Sequence, residues 1–83
     1  MMLEDPSFRA FLGVYWLLEQ AGITGARDLA HEINAVFTRF PNYGRSADEL
    51  RQLKAEIYKV LLKEVSGKRM VELGDRIIAT RPL

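Results

Sequence analysis

Residues 46–65 read Ser46-Ala47-Asp48-Glu49-Leu50-Arg51-Gln52-Leu53-Lys54-Ala55-Glu56-Ile57-Tyr58-Lys59-Val60-Leu61-Leu62-Lys63-Glu64-Val65, and this stretch decides the fold. Its first four residues form a capping box. The Ser46 hydroxyl can accept from the backbone N–H of Glu49, while the Glu49 carboxylate reaches back to the N–H of Ser46. Beyond the cap, Leu50, Leu53, Ile57, Val60 and Leu61 recur at spacings of three and four, the signature of one apolar helical face. Tyr58, Leu62 and Val65 form a second stripe, so this helix is expected to touch two neighbours and to be the central element of the fold.

Upstream lies Pro41-Asn42-Tyr43-Gly44, in which Pro fixes φ and Asn and Gly accept positive φ, placing the main loop at residues 41–45. Before it, Leu29, Ile33, Val36, Phe37 and Phe40 make a stripe on a second helix, with Thr24 as its expected cap and Pro41 as its stop. A first helix opens at Asp5-Pro6 and closes near Ala21-Gly22. Phe8, Phe11, Leu12, Tyr15 and Leu18 line it, and Val14, Trp16 and Leu17 widen its apolar arc, so it is expected to be buried on more than one side.

Downstream, Ser66-Gly67 is a short break. Met70, Leu73, Ile77 and Ile78 mark a further helix that frays toward Arg81-Pro82. No segment alternates with the period of two that a half-buried strand would show. The expected architecture is all-α: one domain over residues 1–83, a small bundle of three to four helices, mostly antiparallel because the connections are short.

Composition agrees with a folded domain. The chain has 83 residues, 48% hydrophobic and 28% charged, which suits a single core of modest size. Twelve basic residues against eleven acidic ones leave a net charge of +1, too little for a global field that would gather nucleic acid or anionic lipid. Cysteine is absent, which removes disulfides and thiolate chemistry. Met1 to Asp5 has no basic leader pattern, and the apolar run Ala10 to Leu18 is far shorter than the roughly 20 residues of a membrane span. The reading is a soluble, cytoplasmic protein without a membrane partner.

Catalytic patterns fail one by one. His31 is the only histidine, and His31-Glu32 lacks the second His of a helical zinc motif. Ser7, Ser46 and Ser66 read as helix-start residues, and a triad would need His31 and an acid brought to one of them with no supporting signature. Gly67-Lys68 has Leu62 where a phosphate-binding loop needs Gly, and Arg69 where it needs Ser or Thr. Glu72 and Asp75 could share a metal, but Lys68 and Arg76 beside them make a solvated ion-pair surface the simpler reading. Glu56-Ile57-Tyr58-Lys59 has the wrong spacing for a metal-dependent nuclease and lies on a helix. No catalytic residue, metal site or cofactor is expected in this chain.

Two groups remain as binding candidates. Tyr15, Trp16, Phe37, Phe40 and Tyr43 are mostly expected in the core, but Trp and Tyr dominate interface hot spots. Trp16 and Tyr43, and after them Tyr58, are the candidate partner anchors. The basic series Lys54, Lys59, Lys63, Lys68, Arg69 and Arg76 is interrupted by acids and reads first as a solvated face. Of these, Lys59, Lys63, Lys68, Arg69 and Arg76 are the candidate phosphate contacts of an alternative, DNA-binding reading, in which the two last helices act somewhat like a helix-turn-helix.

Two stretches, Phe40-Pro41-Asn42-Tyr43 followed after a gap by residues 48–62 (DELRQLKAEIYKVLL), and residues 67–78 (GKRMVELGDRII), resemble the extreme C-terminus of the R subunit, the motor and nuclease subunit, of type I restriction enzymes. The resemblance spans residues 40–79, about half the chain, and is one of helical texture rather than of catalytic signature. It implies a parent ATP-dependent site-specific deoxyribonuclease whose nuclease and motor domains would lie elsewhere and alone would need ATP and magnesium. It further implies that this helical region docks onto the methyltransferase and specificity subunits without doing chemistry itself. None of the parent's nuclease or motor motifs has a match in these residues.

Overall fold

The computed structural model describes residues 6–80, which form four helices: α1 (Pro6–Gln20), α2 (Ala26–Arg39), α3 (Ala47–Leu61) and α4 (Gly67–Thr80). The expected Asp5 cap and the fraying at Arg81-Pro82 lie outside the described residues. The all-α bundle expected from the periodicity is the observed architecture.

Chain order is also spatial order. α1 packs on α2, α2 on α3, α3 on α4, and α4 returns to α1 through the slightest of these contacts. The antiparallel sense of α2 and α3 follows from two ion pairs. Arg39, at the end of α2, meets Glu56 in mid α3 at 3.2 Å, while Glu32, a few turns earlier, meets Lys63 just past the end of α3 at 2.7 Å. On α1 and α2, Phe11 stacks on His31 with ring centroids 4.2 Å apart, and the Tyr15 hydroxyl, one turn later, feels the charge of Arg27, one turn earlier. These helices also run antiparallel. The Cα envelope measures 32 × 32 × 16 Å, and its short dimension is that of two helix layers.

The core is drawn from all four helices. Val14, Leu17 and Leu18 come from α1; Leu29, Ile33, Val36 and Phe37 from α2; Leu53, Ile57 and Leu61 from α3; Leu73 and Ile77 from α4. Ile23 and Val65 enter from the connections, and no polar or charged residue is buried among the described residues. α3 has the two neighbours expected of it, but so does every helix in this ring.

Local chemistry sets the boundaries. At the end of α1, Ile23 N–H donates to the Leu18 carbonyl and Gly22 N–H to that of Glu19, both at 3.0 Å, with Gly22 at φ +71°. This is the Schellman closure, whose left-handed residue favours Gly, and Ile23 and Leu18 are both buried beside it. The expected Thr24 cap of α2 is not formed. Gly25 occupies the N-cap at φ +69° with no side-chain cap bond, and its carbonyl accepts the first helical bond from Leu29 N–H at 3.0 Å. A left-handed Gly turns the chain so that Ala26 enters the core, and Asp28 in the first turn complements the positive helix end.

At α3 the Ser46 side chain accepts from Glu49 N–H at 3.2 Å, as the capping pattern predicts. The reciprocal half is different. Ser46 N–H already donates to the Asn42 carbonyl at 3.0 Å, so the Glu49 carboxylate accepts from Asn42 N–H instead, at 2.9 Å. One acidic side chain thereby ties the loop at residues 41–45 to the first turn of α3.

Two apolar stripes are corrected. α1 is not buried on more than one side: Leu12 and Trp16 are exposed, because α2 and α4 cover only the opposite face. Leu62 is exposed as well. α3 ends at Leu61, and the following turns, in which Glu64 and Val65 N–H donate to the Leu61 carbonyl at 3.0 and 2.9 Å, carry Val65 inward and leave Leu62 outside.

Candidate functional site

The predicted partner anchors fall in three different settings. Trp16 is 59% exposed on the outer face of α1. Tyr43 is half-buried, its ring 5.7 Å from that of Phe37, and its hydroxyl is enclosed without a hydrogen-bond partner. Tyr58 is half-buried at the α3–α4 seam, where its hydroxyl donates to Asp75 at 2.5 Å. That bond, followed by burial and the negative charge of Asp75, pushes the phenol up to about 12. The other predicted aromatics follow the core reading: Phe37 is buried, and Tyr15 and Phe40 pack against the core at its edge.

The seam is built for close approach. The Tyr58 ring lies over Gly74, a buried position in mid α4 where the missing side chain lets the helices meet. One turn nearer the α3–α4 connection on either helix stand Leu62 and Val71, 55% and 39% exposed. Tyr58, Leu62 and Val71 thus place an apolar group along the seam, rimmed by Lys59 and Asp75. Leu62 and Val71 are the candidates that spacing alone missed. The exposure of Leu62 depends on where α3 stops, which the periodicity does not register.

The candidate phosphate contacts are partly engaged within the chain. Lys63 donates to both carboxylate oxygens of Glu32, at 2.7 and 2.9 Å. Lys68 lies 3.8 Å from Glu72, and Arg69 donates to the Ala21 carbonyl at the end of α1. Arg69 and Arg76 share an open groove of about 350 Å³ with Gln20, Ala21, Glu72 and Leu73, so an acidic residue lines the same groove as the two arginines. Lys59 stands exposed on α3. The five basic residues do not converge on one uninterrupted positive surface.

Among the described residues, no group of three or more His, Asp or Glu side chains is arranged to hold a metal ion. Glu72 and Asp75 are drawn to different partners, Lys68 and Tyr58. His31 is exposed and occupied by its stacking on Phe11. No helix among the described residues is long and apolar enough to cross a membrane. No protein-family model, curated protein or solved structure matches this chain.

Proposed function

We propose that this chain is a non-catalytic docking module that meets a protein partner through the α3–α4 seam. The observation that carries the reading is the pair of exposed aliphatic side chains, Leu62 and Val71, one helical turn from the contact of the Tyr58 ring with Gly74; among the described residues the other exposed large apolar groups, Leu12 and Trp16, lie apart on α1. Covering such side chains contributes about 25 cal/mol for each Å² removed from water, and Tyr is among the residues enriched at interface hot spots. The seam lies within residues 40–79, the stretch that resembles the end of the type I R polypeptide. On that resemblance the partner is the methyltransferase and specificity core of a type I restriction-modification complex in the cytoplasm. The module would hold the parent's ATP- and magnesium-dependent motor and nuclease beside DNA.

A pull-down tests this directly: the tagged domain against a co-expressed methyltransferase and specificity core, with DNA removed by nuclease. The wild-type domain should retain the core, and Leu62→Asp, which changes an exposed side chain and should leave the helical circular dichroism intact, should not. A folded wild-type domain that fails to retain the core, or a Leu62→Asp variant that retains it fully, would sink the proposal. Duplex DNA is the competing partner, through Lys59, Lys68, Arg69 and Arg76. Titration at two salt concentrations separates the two, since phosphate binding weakens steeply with salt.

A further inference from the structure

The groove where α4 meets the end of α1 has a chemistry that the seam does not use. Arg69, Glu72, Leu73 and Arg76 recur at spacings of three and four along one face of α4, and Gln20 and Ala21 line the same groove from the end of α1. Together they border a space of about 350 Å³, at the small end of the range for ligand sites. Buried Leu73 and half-buried Ala21 are its apolar lining, and every other side chain in it is polar or charged.

The positive charge of this groove is not cancelled from within. Arg76 is exposed and makes no ion pair or hydrogen bond among the described residues. Arg69 donates to the Ala21 carbonyl, a neutral acceptor, which holds the side chain in place and leaves its charge and its other N–H donors. Glu72 lies 3.8 Å from Lys68, so three cations and one acid leave two positive charges on this part of α4. The neighbouring acids are drawn elsewhere: Asp75 accepts the Tyr58 hydroxyl of α3, and Glu19 accepts the Tyr15 hydroxyl, which also feels Arg27 of α2. The negative end of α1 is muted too, because the carbonyls of Leu17, Leu18, Glu19 and Ala21 already accept N–H donors.

We propose that this groove binds a doubly charged oxyanion of the phosphate class, as the free ion or as a phosphomonoester. Arg76 and Arg69 supply planar forks suited to phosphate oxygens, and the Gln20 amide offers a third donor from a different helix. A tetrahedral dianion accepts from several directions and matches two positive charges, whereas a carboxylate has two oxygens in one plane and a single charge. An anion that reaches both Gln20 and the arginines ties α4 to α1 across the slightest contact of the ring, so its binding stabilises the fold. For exposed groups in an open groove the dissociation constant should be on the order of 1 mM.

Thermal unfolding of the 83-residue chain in inorganic phosphate, against chloride at equal ionic strength and mildly alkaline pH, is the test, with phosphoserine as a second arm. Phosphate at about ten times its dissociation constant should raise the midpoint by about 5 to 10 °C over chloride. Both probes should bind, and the tighter of the two tells whether the free ion or a phosphorylated molecule is the better source. Arg76→Ala changes an exposed side chain and should weaken binding about tenfold, while Glu72→Gln should tighten it about threefold. The midpoint of each variant in chloride shows that it folds, and the Arg76→Ala comparison separates binding in the groove from the general stabilising action of phosphate salts. Leu62→Asp should bind phosphate normally, so the outcome is independent of docking at the seam. A wild-type midpoint that phosphate leaves where chloride does, or an Arg76→Ala or Glu72→Gln protein that binds as wild type does, would overturn the proposal.

Discussion

The Tyr58 ring occupies the space that a β-carbon on residue 74 would need: placed ideally on Gly74, that atom would fall 2.7 Å from Cε1 and 2.8 Å from Cδ1 of Tyr58, and 3.4 Å from a methyl of Leu61. Alanine is a better helix former than glycine by about 1 kcal/mol, so Gly74→Ala carries a gain and a penalty. The ring cannot simply swing aside, because its hydroxyl is held by Asp75, and overpacking of this kind costs about 1 to 3 kcal/mol. Gly74→Ala should therefore destabilise by about 1 kcal/mol in urea denaturation. In a Tyr58→Ala background the same change should become stabilising by a similar amount. If Gly74→Ala has the same sign in both backgrounds, the seam does not pack as described.

The same tyrosine makes stability depend on alkaline pH. Its native pKa, about 12, lies above the value of about 10 in an unfolded chain, so the folded state keeps a proton that the unfolded state releases more readily. The stabilisation is fully present below about pH 10 and is lost as pH rises toward 12. Tyr58→Phe should cost about 0.5 to 1 kcal/mol at neutral pH, a hydrogen bond discounted for partial exposure, and should lose less than wild type between pH 10 and 12. Denaturation midpoints at several pH values check this. Parallel losses in the two proteins would contradict it.

Tyr43 offers the opposite case. Its hydroxyl is enclosed and unpartnered, so Tyr43→Phe removes an unsatisfied polar atom and should leave stability unchanged or raise it by up to about 1 kcal/mol. Tyr43→Ala, which empties the space beside Phe37, should cost about 2 to 3 kcal/mol. Thermal denaturation of both variants distinguishes ring packing from hydroxyl bonding, and a loss of more than about 1 kcal/mol in Tyr43→Phe would show that the hydroxyl has a partner after all.

The two helix starts should respond differently to substitution. Ser46→Ala removes the acceptor of Glu49 N–H and should cost about 1 kcal/mol. Thr24→Ala should fall within about 0.5 kcal/mol of wild type because Thr24 is not the cap. Gly25→Ala should cost about 1 to 2 kcal/mol, since a β-carbon disfavours the left-handed backbone there. A Thr24 variant as damaging as the Ser46 variant would return the cap to Thr24.

These contrasts show which parts of the molecule are legible in the residues. Leu53, Ile57 and Leu61 are spaced for one helix face, and all three are fully buried. The end of that helix is not encoded in spacing, because the chain leaves α3 when Val65 turns inward, and Leu62 is displaced as a consequence. Leu12 and Trp16 are as apolar as any core residue, and the pattern cannot register that α1 has neighbours on one side only. Glu49 is readable as a capping residue but not as the acceptor of Asn42 N–H, which depends on the path of the loop. At the seam, Tyr58 and Asp75 are 17 residues apart, so their bond exists only once α3 and α4 are packed.

That each helix packs chiefly on the next one along the chain bears on how the protein reaches its structure. Any adjacent pair can form with only a short loop to close, and helical domains built from such local contacts fold in microseconds to milliseconds. Only the meeting of α4 with the end of α1, where Arg69 finds the Ala21 carbonyl across 48 residues of chain, must wait for the rest. The unfolded chain should be correspondingly short-lived, leaving its buried leucines and isoleucines little time to aggregate.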